Sequence, residues 1–127
     1  MRKVWVAAVS VAVLGLNGTA AMAQDVENGQ SVFRQCRACH QVGANAKNLV
    51  GPALTGIVGR KAGTIAGFNY SQANKDAGAK GLVWTEEVLL KYLAAPLQFM
   101  PGTKMAYAGL KDEADRKDLI AYLKSAK

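Results

Sequence analysis

Cys36-Arg37-Ala38-Cys39-His40 places both cysteines and the single histidine of this 127-residue chain within five consecutive positions. Two thiols one helical turn apart can each add to a haem vinyl group, and the adjacent imidazole then comes under the iron as its proximal ligand. The chemistry on offer is covalent haem attachment, and iron held in this way is a redox centre. Other uses of a Cys-x-x-Cys pair account for less. A thioredoxin-like dithiol wants a βαβ setting, which the sequence lacks, and gives no reason for the following histidine. Structural zinc takes four protein ligands, and no further Cys or His is present to supply them. A disulfide across two intervening residues would close a very small loop and stabilise little.

The sixth position of the iron is narrowed by composition. His40 has no second histidine to pair with, so bis-histidine ligation within one chain is impossible. Past residue 23 there are two methionines, Met100 and Met105. A thioether ligand would raise the potential and fill the site. Each Met can equally be a gap-filler in the core, and an open or lysine-bound sixth position is compatible with the composition. Local context favours Met105, which follows Pro101-Gly102-Thr103-Lys104 on a turn-rich segment.

The start of the chain sets the compartment. Arg2 and Lys3 precede an apolar run from Val4 to Leu16, and Ala21-Met22-Ala23 gives the small-x-small pattern of a signal-peptidase site. The run is shorter than the ~20 apolar residues that span a bilayer, and Asn17 and Thr19 interrupt it. Residues 1–23 are therefore expected to be a cleaved secretory signal. The mature domain, residues 24–127, is expected to be soluble in a bacterial periplasm. It is one small domain with a limited apolar core and no spare cysteine for disulfides. A buried haem would serve as the staple, so the haem-free chain is expected to fold poorly.

Helical signals dominate the remainder. Asp25 can cap a helix carrying Val26, Val32, Phe33 and Cys36 at helix-like spacings. Gly29 within it suggests close contact with another helix, because Gly in a helix interior costs up to ~1 kcal/mol. The partner is the last segment, with Asp112, Glu113 and Asp115 at its start, Lys124 and Lys127 at its end, and an apolar face of Leu119, Ile120, Tyr122 and Leu123. A third helix begins near Thr85 and stops before Pro96. The stretch from Gln41 to Tyr70 is Gly-rich and irregular, with no convincing strand. Loops this long in a small domain are expected to wrap something, here a haem.

Elements along the whole mature chain carry a resemblance. Besides Cys36 to His40 they are Gly51-Pro52, Gly59-Arg60-Lys61, Gly67-Phe68-Asn69-Tyr70, Trp84, Pro101-Gly102-Thr103-Lys104-Met105 and Asp118-Leu119-Ile120-Ala121-Tyr122-Leu123. With them the chain resembles the class I cytochromes c, in particular the mitochondrial-like bacterial group called c2 or c550. The resemblance implies an all-α cytochrome c fold, three to five helices with long loops around one covalent haem c, the first and last helices crossing where Gly29 and Phe33 meet Leu119 and Tyr122. It implies His40 and Met105 as axial ligands of the iron, with Cys36 and Cys39 as the covalent anchors. Pro52 matches the carbonyl that accepts the other imidazole N–H. Tyr92 and Thr103 resemble the hydroxyls near the distal ligand, and Asn74 the polar residue beside them. Arg60, Tyr70 and Trp84 match positions that bind the haem propionates.

The function implied is one-electron transport between a donor such as cytochrome bc1 or a periplasmic dehydrogenase and an acceptor such as a terminal oxidase or photosynthetic reaction centre. With both axial positions taken, no vacancy is left for substrate, so the chain is expected to be a carrier and not an enzyme. A peroxidase or nitrite reductase would need a labile sixth position and acid–base groups, and no spare histidine is present. A gas-binding protein of the cytochrome c-prime kind would carry its motif near the C-terminus.

Charge points to the partners. The chain has 16 Lys and Arg against 9 acids, and loss of Arg2 and Lys3 leaves a net charge of plus five. Such a surface favours fast, weak, salt-sensitive docking of a monomer to acidic patches on redox proteins. The secretion signal and mixed charge pattern argue against nucleic acid. Lys47, Lys104 and Lys111 match family positions around the exposed haem edge. Leu97 and Gln98 stand where lysines are common, and Asp112 follows Lys111 where a second lysine is usual. The positive ring is thinner, with Leu97 and Tyr107 adding apolar contact, so weaker salt dependence is expected.

Overall fold

In a computed structural model describing residues 24–127, five α-helices follow one another with irregular chain between them. They are α1 (Val26–Phe33), α2 (Gln72–Ala79), α3 (Glu86–Ala94), α4 (Pro96–Phe99) and α5 (Glu113–Ser125). The secretory signal expected over residues 1–23 lies outside the described residues. The fold is all-α, and among the described residues the only β pairing is an isolated bridge between Lys61 and Val83.

Four of the helices start on a side-chain cap. Asp25, Ser71, Thr85 and Asp112 each accept the backbone N–H three residues on, satisfying a donor that the first helical turn leaves free. Acidic residues in the first turn of α1, α3 and α5 add a favourable interaction with the helix dipole. Helix α3 ends at Ala94, before Pro96 as expected, but Pro96 then opens α4 at its first position, where a missing N–H costs nothing. Helix α2 was not anticipated. Its apolar side is little more than Ala73 and Ala77, too small to show a periodic stripe, and its start signal is the Ser71 cap alone.

Helices α1 and α5 cross at Gly29. A Cβ there would run into the backbone carbonyl of Asp118 and lie 2.8 Å from Tyr122 Cβ, so only glycine allows this approach. Around the crossing, Asn28 Nδ2 donates to Asp115 Oδ1 (2.9 Å) and Asp118 Oδ2 (2.8 Å), and the Asp25 N–H donates to Asp118 Oδ1 (2.8 Å). One helical turn on, the rings of Phe33 and Tyr122 meet at 5.6 Å between centroids. The core continues from this crossing through Leu119, Ile120 and Leu123 to Leu89, Tyr92 and Leu93 of α3. A short ladder, Gly59 N to Trp84 O, Trp84 N to Arg60 O and Ala62 N to Leu82 O, ties the long loop to the chain entering α3. These ties position the walls of an interior cavity.

Candidate haem site

Helix α1 hands the chain to a 3₁₀ turn at Arg34–Cys36, and the motif follows as a tight turn closed by His40 N to Cys36 O (2.9 Å). Gly51 N then donates to Cys39 O (2.9 Å), and Leu54 N to Gln41 O (2.8 Å), laying the Gly51–Leu54 segment alongside His40. A Cβ at Gly51 would lie 2.7 Å from His40 Nδ1 and 2.8 Å from Nε2, so glycine is required for the imidazole to sit there. His40 Nδ1 is 2.7 Å from Pro52 O. A carbonyl can only accept, so Nδ1 carries the proton and Nε2 keeps its lone pair. Burial lowers the His40 pKa, the Pro52 bond opposes this, and the neutral ring suits ligation.

Cys36 and Cys39 are free thiols at the same cavity. Burial, with Cys39 beside it, pushes the Cys36 thiol up to about 11. A reactive thiol instead needs a lowered pKa, so the environment of Cys36 does not favour disulfide exchange. Among the described residues, no three His, Cys, Asp or Glu side chains gather into a group that could hold a metal ion.

The cavity has a volume of about 330 Å³ and a largely apolar wall that includes Leu54, Ile57, Leu89, Leu93, Leu119 and Leu123. Met105 lines it and Met100 does not. Met100 is only 5% exposed and packs in the core. Tyr92 OH donates to Met105 Sδ at 3.3 Å, and the Met105 N–H is 3.3 Å from Thr103 Oγ1. Burial raises the Tyr92 pKa, opposed by the Thr103 hydroxyl, and the neutral phenol keeps its proton to donate.

Pro52, Tyr70, Asn74, Trp84, Tyr92 and Thr103 all line this cavity. Tyr70 and Trp84 are buried, and the Tyr70 hydroxyl already accepts the N–H of Ile65 at 3.0 Å. Arg60 stands outside the lining. Its guanidinium turns onto Thr64, with Nε 3.1 Å from Oγ1 and Nη2 2.9 Å from the carbonyl. Ser71 and Gln35 line the cavity without having been singled out, as does Lys61, which was named only as part of the Gly59-Arg60-Lys61 element. Ser71 carried a detectable signal as a helix cap, whereas Gln35 read as an ordinary surface residue.

These residues fit a haem c. The wall is apolar, as a porphyrin requires, two thiols and a neutral imidazole edge it, and Asn74 Oδ1 is buried there without a hydrogen-bond partner. A buried acceptor left alone in the protein is costly unless something else meets it.

Of the docking residues, Lys47, Leu97, Lys104 and Lys111 are exposed and Tyr107 is half-buried. Lys104 Nζ donates to Asn69 O (3.1 Å), and Lys111 Nζ to Ala94 O (2.8 Å) and Ala108 O (3.2 Å). Both lysines therefore brace the backbone as well as carrying charge.

An all-α domain that folds its Cys-x-x-Cys-His turn against an apolar cavity is a c-type haem protein in architecture. Residues 26–127 match the family described as Cytochrome c, and the chain belongs to that family. It is 52% identical to cytochrome c2 of Blastochloris viridis over 112 residues, covering 88% of this chain and 86% of that protein. It is 58% identical to cytochrome c-550 of Ancylobacter novellus over 97 residues, covering 76% and 91%. The solved structure of cytochrome c2 from Rhodospirillum centenum superposes with a TM-score of 0.76 at 48% identity, covering 79% of this chain and 96% of that one. The chain is an electron carrier with one covalent haem c, and it is not an enzyme.

Proposed function

We propose that this protein shuttles single electrons in a bacterial periplasm, with Cys36 and Cys39 as covalent anchors and His40 and Met105 as the axial ligands. The bound haem supplies the one-electron couple at its iron. The observation that carries the ligand reading is that the His40 imidazole, with Nε2 free, and the Met105 sulfur line one apolar cavity while Met100 is buried elsewhere. Pro52 fixes the imidazole through Nδ1, which holds the free nitrogen in one orientation. Tyr92 and Thr103 hold the Met105 side chain and backbone. Asn74, Tyr70 and Trp84 offer polar atoms to the propionate and distal sides, while Arg60, whose guanidinium is engaged by Thr64, would have to leave that contact to reach a propionate.

Residues 1–23 act in this reading as the cleaved export signal, and among the described residues no helix is long and apolar enough to cross a membrane. Partners such as cytochrome bc1 or a periplasmic dehydrogenase, and a terminal oxidase or photosynthetic reaction centre, dock transiently near Lys47, Lys104, Lys111, Leu97 and Tyr107. The oxidised protein should show the weak red-region band of sulfur bound to ferric iron, and Met105→Ala should abolish it. A band that persists in that variant, or is missing from the wild type, overturns the ligand assignment.

A further inference from the structure

The segment from Lys104 to Gly109 carries Met105, yet among the described residues it makes no backbone-to-backbone hydrogen bond. The nearest are Thr103 N to Met100 O (3.1 Å) before it and Leu110 N to Leu93 O (2.8 Å) after it. Side chains alone hold the strap in between. Lys104 fastens it to Asn69, Tyr92 and Thr103 touch Met105, and Lys111 reaches Ala108. One bond joins it to the cysteine turn: Tyr107 OH donates to Gln35 Oε1 at 2.7 Å, across 72 positions of sequence.

That length is the usual one for a well-formed O–H···O bond, and both residues line the cavity. Gln35 is exposed, so packing does not dictate an amide there. It immediately precedes Cys36, whose covalent anchoring makes it a fixed post. A strap without backbone bonds gains freedom whenever one of its fastenings is released, and the Met105 sulfur moves with it.

We propose that Gln35 and Tyr107 form a latch that positions Met105 by tying its strap to the haem-attachment turn. The proposal rests on Met105 being the distal ligand. Releasing the latch frees the strap to lift Met105 away while the cysteine turn and the α1–α5 crossing stay folded.

The test uses the oxidised holoprotein and follows loss of the sulfur-to-iron band in guanidinium, below the global transition read by far-ultraviolet circular dichroism. Tyr107→Phe keeps the ring and removes the donor, and Gln35→Leu removes the acceptor. Each should raise the opening constant about two- to tenfold. The double variant should open no more readily than either single one, and Gln35→Glu, which keeps an acceptor, should restore wild-type behaviour. Additive effects in the double variant, or an unchanged opening constant in either single one, overturn the latch. A wild-type protein without the band overturns the ligand reading itself, so the two failures are told apart by the unmutated protein.

Discussion

The His40 turn and the Met105 strap reach the same cavity but are built in opposite ways. Around His40 the chain is fastened by backbone: His40 N to Cys36 O, Gly51 N to Cys39 O, Leu54 N to Gln41 O, with Nδ1 on the Pro52 carbonyl. Around Met105 the fastenings are side chains, several of them at the surface. Backbone bonds survive most substitutions, whereas each side-chain bond can be deleted singly. The imidazole side is thus set by the path of the chain, and the sulfur side is open to tuning by individual residues.

The sharpest challenge to this contrast is Gly51→Ala, because a backbone-built site yields only to a change that obstructs the backbone. The new methyl group meets the His40 ring, and overpacking of this kind should destabilise the holoprotein by about 3 kcal/mol. Guanidinium unfolding measures it, and wild-type stability would show that the Gly51–His40 contact is not a constraint. A smaller effect is expected for Tyr92→Phe, which removes the donor to Met105 Sδ and should weaken strap closure by about 1 kcal/mol. Amide exchange should then quicken around Met105 and stay unchanged at His40 and Gly51. Equal acceleration on both sides would erase the distinction. The smallest effect is predicted for Lys111→Met, whose lost bonds to Ala94 O and Ala108 O should reduce stability by roughly 0.5 kcal/mol. An unaltered melting curve would return Lys111 to a purely electrostatic role.

The helices that could be read in advance are those with both a cap and an apolar stripe. Asp25, Thr85 and Asp112 announce α1, α3 and α5, and the stripes behind them are wide enough to show a period. Helix α2 meets the long loop through Gly78, beside half-buried alanines, and α4 is a single turn starting on proline, so neither has a pattern long enough to register. At the site, the residues set out by family motifs came together with the exception of Arg60, which engages Thr64. Gln35 carried no signal, because a surface glutamine acquires meaning only from the partner it meets.

The Cys36–His40 motif by itself pointed to the chemistry, covalent haem with a histidine placed to ligate it, and the composition left no second histidine to compete. The spacing of those five residues is local, and local spacing is what a sequence records directly. That Lys104 and Lys111 brace the Asn69 and Ala94 carbonyls, and that Tyr107 meets Gln35, were decided by the tertiary structure alone. Each depends on segments 17 to 72 positions apart being brought together by the α1–α5 crossing and the paths of the loops. Contacts of that kind arise from packing in three dimensions, and no periodicity or motif along the chain encodes them singly.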